Sequence, residues 1–149
     1  MIRVYLDVDG VLLGKHAGQV VLARYAAELI DFVLERFDVY WLTTHCSGDA
    51  QRVIDYLGRY SPAEFLARLA PIKPTRFGAL KTDALRGDFY WLDDNPLQAE
   101  LAELERRDSF DRWIDVNTRE RPEDLLFAMN ELSMAGENSA KKRLLPRVG

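Results

Sequence analysis

VYLDVDGVL, residues 4–12, decides how the rest of the chain reads. Val4-Tyr5-Leu6 is an apolar run of strand length, yet it ends on Asp7 and Asp9, one residue apart, with Gly10 directly after. A buried strand has no packing use for carboxylates, and buried charge is costly unless it is paired or binds a metal. Two acids at the end of such a strand point to a site rather than to a surface turn.

Outward from this stretch, apolar segments of strand length alternate with segments of helical period. Strands are expected at about 3–8, 39–43, 88–94 and 111–116. Helices are expected over 20–37, from about 50 to 57, over 61–70, within 78–86, from Pro96 through LQAELAELERR, and from Pro122 to about Met134. Residues 71–77, PIKPTRF, read as a loop or a short strand. The alternation implies an α/β protein with a parallel sheet covered on both faces and right-handed crossovers. The expected architecture is Rossmann-like, three α/β/α layers around about five parallel strands. One domain is expected over 1–135, followed by a basic tail at 136–149 that carries Lys141, Lys142, Arg143 and Arg147 and reads as mobile and solvated. Trp41, Trp91 and Trp113 each fall inside an expected strand and read as core rather than as platforms for nucleic-acid bases.

The bulk properties bound the function. A chain of 149 residues suits one domain, and a hydrophobic content of 48% sets it apart from disordered chains. The net charge of −4 lacks the basic excess of a general nucleic-acid binder, while leaving room for a local basic groove. A single cysteine, Cys46, allows no internal disulfide and suits a reducing compartment. The N-terminus reads straight into a strand rather than a signal peptide, and no apolar run reaches the roughly 18 residues of a membrane helix. The expectation is a cytoplasmic protein with no membrane partner.

In open α/β sheets, ligands bind beyond the carboxyl ends of the strands. There the sequence places Asp7 and Asp9, then Thr43 and Thr44, then Asp93 and Asp94. Four carboxylates near one point repel and need a cation to hold them together. An all-oxygen donor set suits a hard ion, Mg²⁺ by default. Thr43 can donate a hydrogen bond and Lys81 a fixed positive charge, which would complete a phosphate cradle. Singly, each residue has an ordinary reading: a strand-end cap, a solvated lysine, a turn opening before Asn95-Pro96. Their joint order, with the acids and threonines all at strand ends, is what speaks for a site.

That order, Asp7-Val8-Asp9-Gly10-Val11, then Thr43, Lys81 and Asp93-Asp94, resembles the haloacid dehalogenase-like superfamily over about residues 3–116. The resemblance implies that Asp7 is a nucleophile forming an aspartyl-phosphate, and that Asp9 is the general acid and then the base. It implies an Mg²⁺ held by Asp7, the backbone carbonyl of Asp9, Asp93 and Asp94, with Asp94 acting through water or orienting its neighbours. Gly10 permits the bend after Asp9. Thr43 and Lys81 would hold phosphoryl oxygens, with Thr44 competing for the threonine role. Members that break carbon–halogen bonds lack the aspartate matched by Asp9, so its presence favours phosphate chemistry, whether hydrolysis or phosphotransfer. Neither the stretch between Asp9 and Thr43 nor that between Thr43 and Lys81 holds a cap domain. An open site suits a phosphoprotein, a nucleotide or a nucleic-acid end, or a small phosphorylated molecule if a second subunit of a homo-oligomer supplies the lid. The loop Leu13–Gly18, with Lys15 and His16, is the only local flap and reads equally well as a solvated loop.

Two rival readings come from the residues. HCSGDAQR, 45–52, carries the spacing of a cysteine-dependent phosphatase, with Cys46 as thiolate and Arg52 gripping phosphate. Asp49 inside that loop would repel a dianion, and the reading leaves the four aspartates unexplained. A non-catalytic receiver-like domain would also combine acids, Thr and Lys around Mg²⁺, but with its acidic pair and acceptor aspartate in the opposite order.

Overall fold

Val4, Tyr5 and Leu6 have no solvent exposure, so β1 (Arg3–Leu6) is a strand buried on both faces. In the computed structural model of the chain, which describes the backbone of residues 1–144 and the side chains of residues 1–135, β1 lies inside a parallel sheet. The chain continues through β2 (Leu13–His16), β3 (Gln19–Leu22), α1 (Ala26–Arg36), β4 (Asp38–Trp41), α2 (Ala50–Leu57), α3 (Ala63–Leu66), β5 (Phe89–Asp93), α4 (Gln98–Arg106), β6 (Trp113–Asp115) and α5 (Asp124–Leu144). The sheet order is β4-β1-β5-β6, all parallel.

Alternate residues of β1 feed two cores, because successive side chains point to opposite faces. Val4 and Leu6 pack with Leu29, Ile30 and Val33 of α1 and Leu125, Ala128 and Leu132 of α5. Tyr5 packs on the other face with Trp91 and with Leu104 of α4. Helices therefore cover both faces, which is compatible with a Rossmann-like arrangement.

About five strands were expected, and the sheet has four among the described residues. The segment 71–77 contributes one bridge, Lys73 beside Tyr40. Lys73 donates to Val39 O at 3.0 Å and accepts from Trp41 N at 2.8 Å. Pro71 and Pro74 flank it and have no N–H to extend the ladder.

The helix expected over 20–37 begins only at Ala26. Residues 13–22 form a β-hairpin instead. Val20-Val21 favours a strand, and the two-residue turn Ala17-Gly18 has φ of 49° and 77°, the left-handed pair a tight hairpin requires. The expected flap is thus a two-stranded ribbon with Lys15 and His16 exposed. At the other end, α5 runs on to Leu144, past the expected stop near Met134. The rest of the basic tail, 145–149 with Arg147, and the side chains of Lys141, Lys142 and Arg143 lie outside the described residues. No helix among the described residues is long and apolar enough to cross a membrane.

From β1 the chain moves to β4 on one side and later returns to β5 on the other. The gap between the β1 and β5 ends is the switch point where such sheets open a crevice. The loop leaving β1 is fixed there from across the sheet by Thr118, just after β6. Thr118 N donates to Gly10 O at 2.8 Å, and its buried hydroxyl lies 3.0 Å from Val11 O and 3.3 Å from Leu13 O. Thr118→Val keeps the shape but takes the hydroxyl from Val11 O, whereas Gly10 O keeps the N–H of residue 118 and Leu13 O keeps the Gly10 N–H at 2.8 Å. It should lower the unfolding free energy by about 1–3 kcal/mol, measured by urea titration, with no change of fold by circular dichroism.

Candidate active site

The parallel register sets the acids side by side. Leu6 pairs with Leu92, and Asp7 N donates to Leu92 O at 3.1 Å, so Asp7 and Asp93 leave their strands at one level. Carboxylate oxygens of Asp7, Asp93 and Asp94 lie within 4.8 Å of one another. Asp7 and Asp93 are buried and Asp94 is partly exposed. Lys81, from a turn of 3₁₀-helix at Lys81–Ala84, reaches between two of them, with Nζ 2.6 Å from Asp93 and 3.3 Å from Asp7.

The electrostatics follow from crowding. Burial first, and then the charge of Asp93, push the Asp7 carboxyl up to about 7, although Lys81 pulls the other way. Asp94 is raised by burial and then by Asp93. Burial alone would lower the Lys81 ammonium, but the charges of Asp7 and Asp93 outweigh it and raise it. Three acids share one lysine, so the group lacks positive charge. A donor set made only of carboxylate oxygens fits a hard divalent cation such as Mg²⁺.

Asp94 reaches the cluster because residue 10 is glycine. Gly10 has φ +75°, and a Cβ there would overlap the Asp94 carboxylate. Asp93 is held through its backbone: Trp113 Nε1 donates to Asp93 O at 3.0 Å. Arg119 Nη1 stands 3.5 Å from Asp94 at the rim.

The fourth expected acid does something else. The Asp9 carboxylate accepts from the Tyr56 hydroxyl at 2.7 Å and lies 2.8 Å from His45 Nε2. Burial would raise its pKa, but the hydrogen bonds from His45 and then Tyr56 outweigh this and hold it below the usual carboxylate range. Its side chain is not one of the clustered ligands. Thr43 is buried at the end of β4, where its hydroxyl accepts from His45 N at 3.2 Å and so keeps its own proton to donate. Thr44 is exposed. Cys46 has no solvent exposure and packs in the core, while Arg52 is exposed, so the pair does not form a phosphate loop at the surface. Trp41 and Trp91 are fully buried, which leaves no face for a base.

Sequence reasoning passed over several residues that hold this arrangement. Glu100 is 3% exposed. One of its oxygens accepts from Lys81 N at 2.5 Å and the other from Leu97 N at 2.8 Å, tying the lysine turn to the start of α4. Its position three residues into a helix that follows Pro96 was the available signal. Thr118 and Arg119 would have emerged from reading the last strand end as the other three were read. Tyr56 gave no signal, since an aromatic one turn from Val53 reads as core.

Comparison with protein-family descriptions, with curated proteins and with solved structures gives no match.

The crowded cluster makes two expectations measurable. Mg²⁺ at about a hundred times its dissociation constant should raise the unfolding free energy by about 2.7 kcal/mol, and Asp93→Ala should abolish that gain. Gly10→Ala should cost about 1–2 kcal/mol from the left-handed backbone alone, and should weaken Mg²⁺ binding in calorimetry because Asp94 is displaced.

Proposed function

We propose that this protein is an Mg²⁺-dependent phosphatase of the haloacid dehalogenase-like type, acting through Asp7. The observation that carries the reading is the meeting of Asp7, Asp93 and Asp94 within 4.8 Å at the sheet's switch point, with Lys81 between them. An acid cluster alone would be weak support. A nucleophile-bearing strand end, a lysine and a buried threonine on neighbouring segments make it specific.

In this reading Asp7, Asp93 and Asp94 hold the cation. When bound, it neutralises phosphate charge so that a carboxylate can approach an anion. Lys81 and Thr43 bind phosphoryl oxygens, and Lys81 can pivot from Asp93 towards the substrate. The Asp7 oxygen attacks phosphorus and the bond to the ester oxygen breaks; Asp9, which takes up a proton from water when the phosphate dianion beside it opposes its ionised form, gives that proton to the leaving oxygen. Water then attacks the aspartyl-phosphate, Asp9 takes a proton from it, and the bond from phosphorus to Asp7 breaks to release inorganic phosphate. Asp9 lies one residue past the nucleophile's neighbour and outside the ligand cluster, as an acid/base must if it is to be free to move protons. The substrate is a phosphomonoester, and no folded cap covers the site among the described residues.

Asp7→Asn should leave the thermal unfolding profile close to wild type and lower phosphate release on the order of 10³-fold or more. Chelation with EDTA should abolish release and excess Mg²⁺ restore it. Undiminished turnover in either experiment would sink the reading.

A further inference from the structure

We propose that His45 and Tyr56 are positioning residues that hold the Asp9 carboxyl group in line for proton transfer. This inference rests on the phosphatase reading for its kinetic consequence. Its geometry stands alone. Each Asp9 oxygen has its own partner: Tyr56 Oη at 2.7 Å from one and His45 Nε2 at 2.8 Å from the other. Two contacts on two oxygens fix both the direction and the plane of the carboxyl group, which a single contact cannot do.

The partners are themselves fixed. The His45 and Tyr56 rings stack with centroids 3.7 Å apart and planes 15° from parallel. Tyr60 meets Tyr56 edge-on at 5.8 Å. The His45 backbone N–H is held by the Thr43 hydroxyl at 3.2 Å, which couples the proposed phosphate-binding threonine to the same ring. Tyr56 stands on α2, whose Asp49 cap accepts from Gln51 N at 2.9 Å. The choice of side chains is also chemical. An imidazole nitrogen and a phenol oxygen can each donate or accept, so both can stay bonded to Asp9 as a carboxylate or as an acid. A lysine or arginine has no acceptor and could not take a hydrogen bond from the protonated oxygen.

Near Asp9 the two residues should matter most when the leaving oxygen needs a proton. p-Nitrophenyl phosphate has a leaving group stable as the anion, whereas phenyl phosphate does not. Tyr56→Phe and His45→Ala should each lower kcat for phenyl phosphate about tenfold or more while KM changes little, and lower kcat for p-nitrophenyl phosphate much less. His45→Gln, whose amide nitrogen sits near the place of Nε2, should recover part of the loss, and His45→Asn should not. Equal losses on both esters, or none, would overturn the proposal. A second measurement separates it from the phosphatase reading. In ion-free protein, proton magnetic resonance should show slowly exchanging Tyr56 hydroxyl and His45 Nε2 protons that Asp9→Ala removes. Their absence from the wild type would overturn the positioning role whatever the turnover. Their presence in a protein that hydrolyses neither ester would sustain the geometry and defeat the phosphatase reading instead.

Discussion

Three carboxylates are forced together where the strand order switches from one side of β1 to the other, and much of the surrounding structure answers to that repulsion. Asp7 and Asp93 are set level by a parallel register, and Asp94 follows on the same strand end. Little water reaches the two buried acids to screen them, so burial is the first cause of the raised Asp7 pKa. Only Lys81 offsets the charge from inside, with Arg119 at the rim. An arrangement that costs this much electrostatically is hard to explain by packing, because an apolar strand end would fold at lower cost.

The acids are held by backbone as much as by side chains. Glu100 pins Lys81 through its N–H, Trp113 pins Asp93 through its carbonyl, and Thr118 pins the loop after β1 through three carbonyls. These supports come from α4, β6 and the loop beyond β6, so the site is assembled from segments far apart in the chain. Asp7 and Asp93 each give one oxygen to a nearby N–H, of Val8 at 2.8 Å and of Asn95 at 2.9 Å, and turn the other to Lys81 in the cluster. Asp9 is the exception, its carboxylate facing His45 and Tyr56 instead of the cluster.

The strands and the acids were legible because each left a mark in the sequence: an apolar run that ends on charge. The parallel strands and the meeting of Asp7, Asp93 and Asp94 follow from that mark and the strand-end rule, whereas Lys81 lies at no strand end and was expected only as the cation of a phosphate cradle. The hairpin was hidden because Val20, Val21 and Leu22 run into the Tyr25–Val33 helical pattern, and periodicity alone does not divide them. The fifth strand shrank to one bridge because two prolines remove the donors that would lengthen it. The partnership of His45 and Tyr56 with Asp9 was out of reach for another reason. Their bond to Asp9 spans 36 and 47 residues, and neither propensity nor period carries information about such a contact.

The bridge at Lys73 also bears on how the molecule meets its own kind. A sheet margin normally offers free donors on which a second chain can build. Here Lys73 turns its polar groups inward to Val39 and Trp41, Ile72 N is used by Leu69 O, and Pro74 has nothing to give. Around Lys73 the margin beyond β4 is thus occupied without a covering helix. The sheet thereby has one long side that offers a second chain little to pair with.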